Sequence, residues 1–264
     1  MIEIIILAFA SPLLSGIITK IKNNLRFRKG PGIFQPYFNL IKFFSKEEVV
    51  SEHASWIFRI APPVVFAAAF SALFLLPFGF TGDLIAILFL LSLGRFFLAL
   101  GGLDPASAFG GMGSSREMFI SSLTEPVAML AVFAIYLDAS NIMAVAALFL
   151  VALAETSRIP VDNQETHLEL TMVHEAMFLE YSGRSLSLIE IAAYIKQLIF
   201  FLIIALLIFP GFNGFLFLAA KLLFLCVLVA VTEVSLAKMR LFRVTDFVSF
   251  AGLLAVAGII WKIL

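Results

Sequence analysis

Long apolar runs separated by short polar breaks dominate the chain, and the spacing of the breaks sets its architecture. The apolar runs occupy residues 2–21, 60–79, 84–100, 118–137, 142–153, 188–209, 212–233 and 247–263. At about 1.5 Å of rise per residue, each reaches the ~30 Å of a bilayer core once polar flanks are included. The pattern predicts an all-α polytopic membrane protein of about eight transmembrane helices, with residues 1–264 forming one integral membrane domain. Breaks fall at Pro77-Phe78-Gly79, Gly101-Gly102, Asp138 to Asn141, Pro210-Gly211 and Lys238 to Arg243. The run Gly110-Gly111-Met112-Gly113 reads as a tight loop feeding the fourth helix, with Ser114 or Ser115 as its N-cap. No internal repeat is evident.

A different periodicity follows the first run. Phe34, Tyr37, Phe38, Ile41 and Phe44 recur at helical spacing, while Gln35, Asn39, Lys42 and Lys46 take the opposite face. This predicts an amphipathic helix over about 33–46, lying in the membrane interface. The second exception is residues 154–186, a charged loop between apolar runs that carries two of the chain's three histidines. Charges near a bilayer line a cavity, pair with one another or meet a partner protein, so this loop does not face lipid.

Composition narrows the function. The 264 residues are 62% hydrophobic and only 14% charged, with zero formal net charge, and mean hydropathy is +1.07. That balance gives no basis for nucleic-acid binding. The single cysteine, Cys226, cannot hold an iron–sulfur cluster, which takes four ligands. Any redox cofactor served by this chain is therefore expected in other subunits. Glu3 stands where a signal peptide would carry a basic residue, so the first run reads as an uncleaved helix. Lys and Arg concentrate in the loops after helices 1, 3, 5 and 7, which places those loops in the cytoplasm and both termini outside.

Several charges fall at membrane depth: Arg95, Glu125, Glu155, Glu190, Lys196, Lys221 and Glu233. Such residues either pair to fix helix packing or form a hydrated path for protons or ions. Their convergence on one cytoplasmic loop favours the path. Two chemistries drop out. His174-Glu175 opens like a zinc-protease motif, but Phe178 stands where the second histidine belongs, and no metal site is expected. The glycine run lacks a P-loop lysine and a preceding strand.

Three blocks carry a family resemblance. They are Arg28-Lys29-Gly30-Pro31 with Gln35-Pro36 and Lys42 to Glu47; Gly113 to Glu117 with Glu125-Pro126; and Ala154 to Asp162 through Glu180-Tyr181-Ser182-Gly183. In these the chain resembles the subunit 1 family of respiratory NADH:quinone oxidoreductase (complex I). The wording from Glu165 to Met172, followed by His174-Glu175-Ala176-Met177, is similar to the branch found in membrane-bound [NiFe] hydrogenases and formate hydrogenlyases. The resemblance implies a subunit with no catalytic centre of its own. It would anchor a peripheral arm whose small and large subunits carry an iron–sulfur cluster and the catalytic metal, fed indirectly by ferredoxin. It would also pass ions sideways to antiporter-like membrane subunits. On matching motif positions the ion path falls to Glu117, Glu125, Glu155, Glu165, Glu169 and Glu180; Glu190, Lys196, Lys221 and Glu233 join it by depth alone. Docking or charge-holding falls to Arg28, Gly30, Pro31, Arg116, Arg158, Asp162, His167, His174, Glu175 and Arg184. A sulfur-reducing complex would use much the same subunit. The alternatives are a quinone-lining subunit and, less favoured for want of repeats and broken helices, a stand-alone cation antiporter.

Overall fold

Helix α7 (Gly183–Leu207) is the post around which the other helices stand. Of its most apolar stretch 67% is buried, against 28% for α8 (Phe215–Ser235) and α9 (Leu241–Ile263) at the periphery. The protein is described by a computed structural model that covers residues 2–76, 83–138, 141–162, 172–207 and 214–263. The remaining helices are α1 (Ile2–Leu25), α2 (Gln35–Phe44), α3 (Trp56–Leu75), α4 (Asp83–Leu103), α5 (Ala108–Leu137) and α6 (Ile142–Glu155). A 3-10 turn, Glu175–Phe178, precedes α7. Around α7 stand α1, α3, α6 and α8; α4 sits between α3 and α5, and α9 packs on α5 and α6. Ile195, Leu198, Ile199, Phe200 and Phe201 of α7 are fully enclosed, as are Ile87 of α4 and Leu148 of α6.

Among the described residues, seven helices are long and apolar enough to cross a bilayer. The eighth expected span is α6, whose 14 residues rise only about 21 Å. It starts where Asn141 accepts hydrogen bonds from the backbone N–H groups of Met143 and Ala144. Asn141 also donates to the Gly258 carbonyl at 2.7 Å, which pins α6 to α9.

Two expectations are corrected. The glycine run is not a loop: α5 begins at Ala108, with Ser107 as its N-cap, and continues through Glu117 to Leu137. Ser114, expected as the cap, instead donates to the Ala99 carbonyl of α4 at 3.0 Å. Glycine here serves close approach. A Cβ on Gly113 would stand 2.6 Å from that of Ala176, so packing overrides the weak helix propensity of glycine. Likewise Gly101-Gly102 lies inside α4, which ends one residue later. The breaks expected at Pro77-Phe78-Gly79 and Pro210-Gly211 lie outside the described residues.

The amphipathic helix forms as α2, trimmed to Gln35–Phe44. Phe34, Phe38, Ile41 and Phe44 are exposed and Leu40 is buried. Tyr37, expected on the membrane face, instead turns toward α1 and donates to the Phe9 carbonyl at 2.6 Å. The strap after α2 is tied to the start of α7. Val49 N–H donates to Ser182 Oγ at 2.8 Å, and Ser185 Oγ donates to the Glu48 carboxylate. Gly183 is required there: its φ is +54°, and a Cβ would lie 2.9 Å from the carbonyl oxygens of Lys46 and Glu47.

Candidate functional site

Helix spacing builds the first half of the site. Glu117, Ser121 and Glu125 fall four residues apart on α5, so they share one face, with Thr124 beside them. That face meets Arg95 of α4, Glu155 at the end of α6 and Lys196 of α7. Arg95 is buried, and its guanidinium fork reaches three carboxylates: Nε is 3.5 Å from Glu117 Oε1, Nη1 is 3.3 Å from Glu125 Oε1, and Nη2 meets Glu155 Oε2. Lys196 Nζ adds a second cation 2.9 Å from Glu155 Oε2. Thr124 donates to Glu155 Oε1 and Ser121 to Glu125 Oε1, each at 2.6 Å. Glu155 closes α6 at the negative end of the helix dipole, where a carboxylate is disfavoured. The two cations offset that cost.

His174 completes this cluster from the loop side. Its Nδ1 stands 3.7 Å from Glu117 Oε1, and its ring meets Phe178 edge-on at 5.6 Å. A cavity of about 40 Å³, lined in part by Gly94, Arg95, His174 and Lys196, adjoins it. A water needs about 10–15 Å³ measured in this way, so the cavity is water-sized. A second, of about 10 Å³, lies between Ser92, Glu125, Glu155 and Phe200.

A second buried cluster lies on the other side of the 155–158 turn. Glu233, near the end of α8, is held by Lys22 of α1 at 2.7 Å and by Arg158 Nη1 at 3.1 Å. Arg158 Nη2 donates to Gln197 Oε1 at 2.9 Å and to Ser15 Oγ at 3.3 Å. Lys196 and Gln197 are consecutive on α7, so one helix feeds both clusters.

The loop itself is braced from below. Asp162 accepts from the backbone N–H groups of Val173 and His174 through Oδ2 and pairs with Lys238 at 2.6 Å through Oδ1. Arg116 Nη1 donates to the Met172 carbonyl at 3.1 Å. Glu175, half-buried on the same loop, has its carboxyl pushed up to about 7. Burial is the main cause, followed by the negative charges of Asp162 and Glu190, with Lys238 opposing.

The sequence-selected residues therefore divide. Glu117, Glu125, Glu155 and Lys196 come together, while Glu233 belongs to the second cluster. Glu190 accepts a hydrogen bond from Tyr194 at 2.9 Å. Glu180, Arg28, Pro31 and Arg184 are exposed, and Gly30 is half-buried. Lys221 sits on α8 twelve residues before Glu233, about 18 Å along the axis. Arg158 and Asp162, expected to dock a partner or to hold charges in place, are buried at 6% and 4% exposure and pair with Glu233 and Lys238. Glu165, His167 and Glu169 lie outside the described residues. Among the described residues, no group of three or more His, Cys, Asp or Glu is placed to hold a metal. Sequence reasoning missed Arg95 as the hub of one cluster and Lys22 as an anchor of the other. The only signal for Arg95 was a cation in mid-helix. Lys22 was hidden among the basic residues of the first loop.

Comparison with known proteins extends this picture. The NADH dehydrogenase family matches residues 1–263. Hydrogenase-4 component C of Escherichia coli (strain K12) is 31% identical over 299 residues, covering 98% of this chain and 94% of that protein. Formate hydrogenlyase subunit 4 of the same strain is 28% identical, covering 96% and 94%. NADH-quinone oxidoreductase subunit 8 of Rhodothermus marinus is 27% identical over 73% of this chain and 67% of its own length. Among solved structures, a chain of an archaeal membrane-bound sulfane sulfur reductase superposes with a TM-score of 0.83 at 18% identity, covering 99% of this chain and 97% of that one. This last match speaks to fold alone.

Proposed function

The chain belongs to the NADH dehydrogenase family, the complex I subunit 1/H type of membrane subunit, and on that premise we propose that it is an anchoring and ion-coupling subunit. It holds a peripheral redox arm of hydrogenase or sulfur-reductase type against the membrane and passes H+ or Na+ toward antiporter-like neighbours. The arm's small and large subunits carry the iron–sulfur cluster and the catalytic metal, and ferredoxin supplies the electrons. In this reading the complex lies in the plasma membrane, with both termini outside and the charged loop cytoplasmic, as the Lys/Arg bias requires.

The observation that carries the proposal is the charge imbalance around Arg95. Three carboxylates, Glu117, Glu125 and Glu155, face two cations, Arg95 and Lys196, in one mostly buried cluster. One negative charge is left over while His174, beside Glu117, is neutral. In a low dielectric it is neutralised by a proton or a bound cation, and the position of that charge is shared among coupled groups. A change of charge in the arm shifts this balance and moves the ion. The adjoining cavity of about 40 Å³ admits water, as a hydrated path needs.

The test uses everted membrane vesicles containing the whole complex and supplied with reduced ferredoxin. Uptake of H+ or Na+ is expected, together with loss of both uptake and the membrane-bound arm when this chain is deleted. Uptake that persists without the chain overturns the proposal.

A further inference from the structure

From the placement of His174 between the loop and the buried carboxylates, we infer that its imidazole is the proton relay through which the loop side of the protein reaches Glu117. The inference rests on the ion-coupling reading and names the entry point of the same cluster. Three observations converge on this residue. Its Nδ1 is 3.7 Å from Glu117 Oε1. That nitrogen is buried and makes no hydrogen bond among the described residues, so a slight closing of the gap or one water in the adjoining 40 Å³ cavity links the two. The side chain as a whole keeps 16% exposure, whereas Glu117 keeps only 8%. His174 is thus the more accessible member of the pair.

The backbone around it is held by a carboxylate. Asp162 holds the His174 N–H at 3.1 Å, while the ring meets Phe178 edge-on and has the Glu117 carboxylate beside its Nδ1. A relay needs such an arrangement, with a fixed pivot and an imidazole free to alternate between donor and acceptor. Imidazole is suited to the task because its ordinary titration lies near pH 6.5 and its two nitrogens accept and release on opposite sides. In the step itself a proton arrives at Nε2 from the loop side. The Nδ1 proton passes to the Glu117 carboxylate, and neutral imidazole and a carboxylic acid remain. Charged groups from the neighbouring elements surround the ring: Arg95 of α4 and Lys196 of α7 line the same cavity. Glu117 of α5 and Glu190 of α7 face it as well, and Asp162 of the loop accepts from its backbone N–H.

The experiment uses the intact complex. His174→Gln keeps a hydrogen-bonding side chain without a titratable proton, and His174→Asn is the second variant should the first fail to retain the arm. Ion uptake per electron in everted vesicles is expected to fall about tenfold or more. For His174→Ala, turnover of the detergent-solubilised complex is expected to fall and to recover with added imidazole that leaves the wild type unchanged. Unchanged coupling in the Gln and Asn variants, or no imidazole rescue, overturns the relay. Glu155→Gln in parallel separates the two claims. If wild-type vesicles take up ions and Glu155→Gln stops them while His174→Gln does not, the relay alone is wrong. If wild-type vesicles take up none, the ion-coupling reading falls with it.

Discussion

Arg95 contacts three carboxylates with one guanidinium, and its planar fork is what lets it do so. A lysine offers a single point charge and cannot span Glu117, Glu125 and Glu155 at once. Removing one partner of a buried ion pair costs about 3–5 kcal/mol, because the charges left behind stay desolvated. Arg95→Met is therefore expected to lower the thermal midpoint of the solubilised complex sharply, and Arg95→Lys to recover only part of it; melting curves of the two variants check this. Glu175 supplies a pH signature. Its folded pKa of about 7 lies above the ordinary carboxyl value of 4.5. The folded state thus favours the neutral acid, and stability present below pH 4.5 is lost as pH rises through 7. Wild-type complex should melt at a lower temperature at pH 8 than at pH 5.5, and Glu175→Gln should shrink that difference. Equal differences in both proteins would remove Glu175 as the cause. The acidic members of the site were legible in the sequence because a carboxylate inside an apolar run is conspicuous. Their partner was not. Depth along a helix is one coordinate, and which helix faces Arg95 is decided by packing that no periodicity encodes.

At the scale of elements, the sequence located the helices and misjudged their ends where glycine was involved. Gly110 and Gly113 lower helix propensity, so the pattern predicts a loop. The structure uses the missing side chains for close contact, Gly110 with Gly102 of α4 and Gly113 with the 172–178 turn, and the helix gains nine residues before Glu117. That contact seats the loop carrying His174. Gly113→Leu should push the turn away and release the peripheral arm on purification, whereas Gly111→Ala, where a Cβ meets nothing within 4 Å, should be silent. Helix α2 was legible as an amphipathic stretch, apart from Tyr37, whose hydroxyl is drawn to a backbone carbonyl. Phe38 and Phe44 remain 63% and 43% exposed, as suits insertion into the interface. Phe38→Asp with Phe44→Asp is expected to weaken retention of the arm in detergent. If assembly and activity of the doubly substituted complex match the wild type, α2 has no tethering role.

Across the whole molecule, the two buried clusters share the 155–158 turn and the consecutive pair Lys196-Gln197, so a displacement of the charged loop is felt in both. Hydropathy made the membrane class legible and the three motif blocks made the family legible. The division of the charged residues into two clusters required the tertiary fold, since Lys22, Arg158 and Glu233 are far apart in the chain. The central claim is that the carboxylates around Arg95 carry the ion. Glu→Gln keeps size and hydrogen bonding while removing the titratable proton. The decisive measurement is ion uptake per electron transferred in everted vesicles carrying Glu125→Gln or Glu155→Gln. The prediction is an assembled complex with its clusters present and a ratio that falls sharply. A damaged complex whose surviving fraction keeps the wild-type ratio, or an unchanged ratio in both variants, would contradict it.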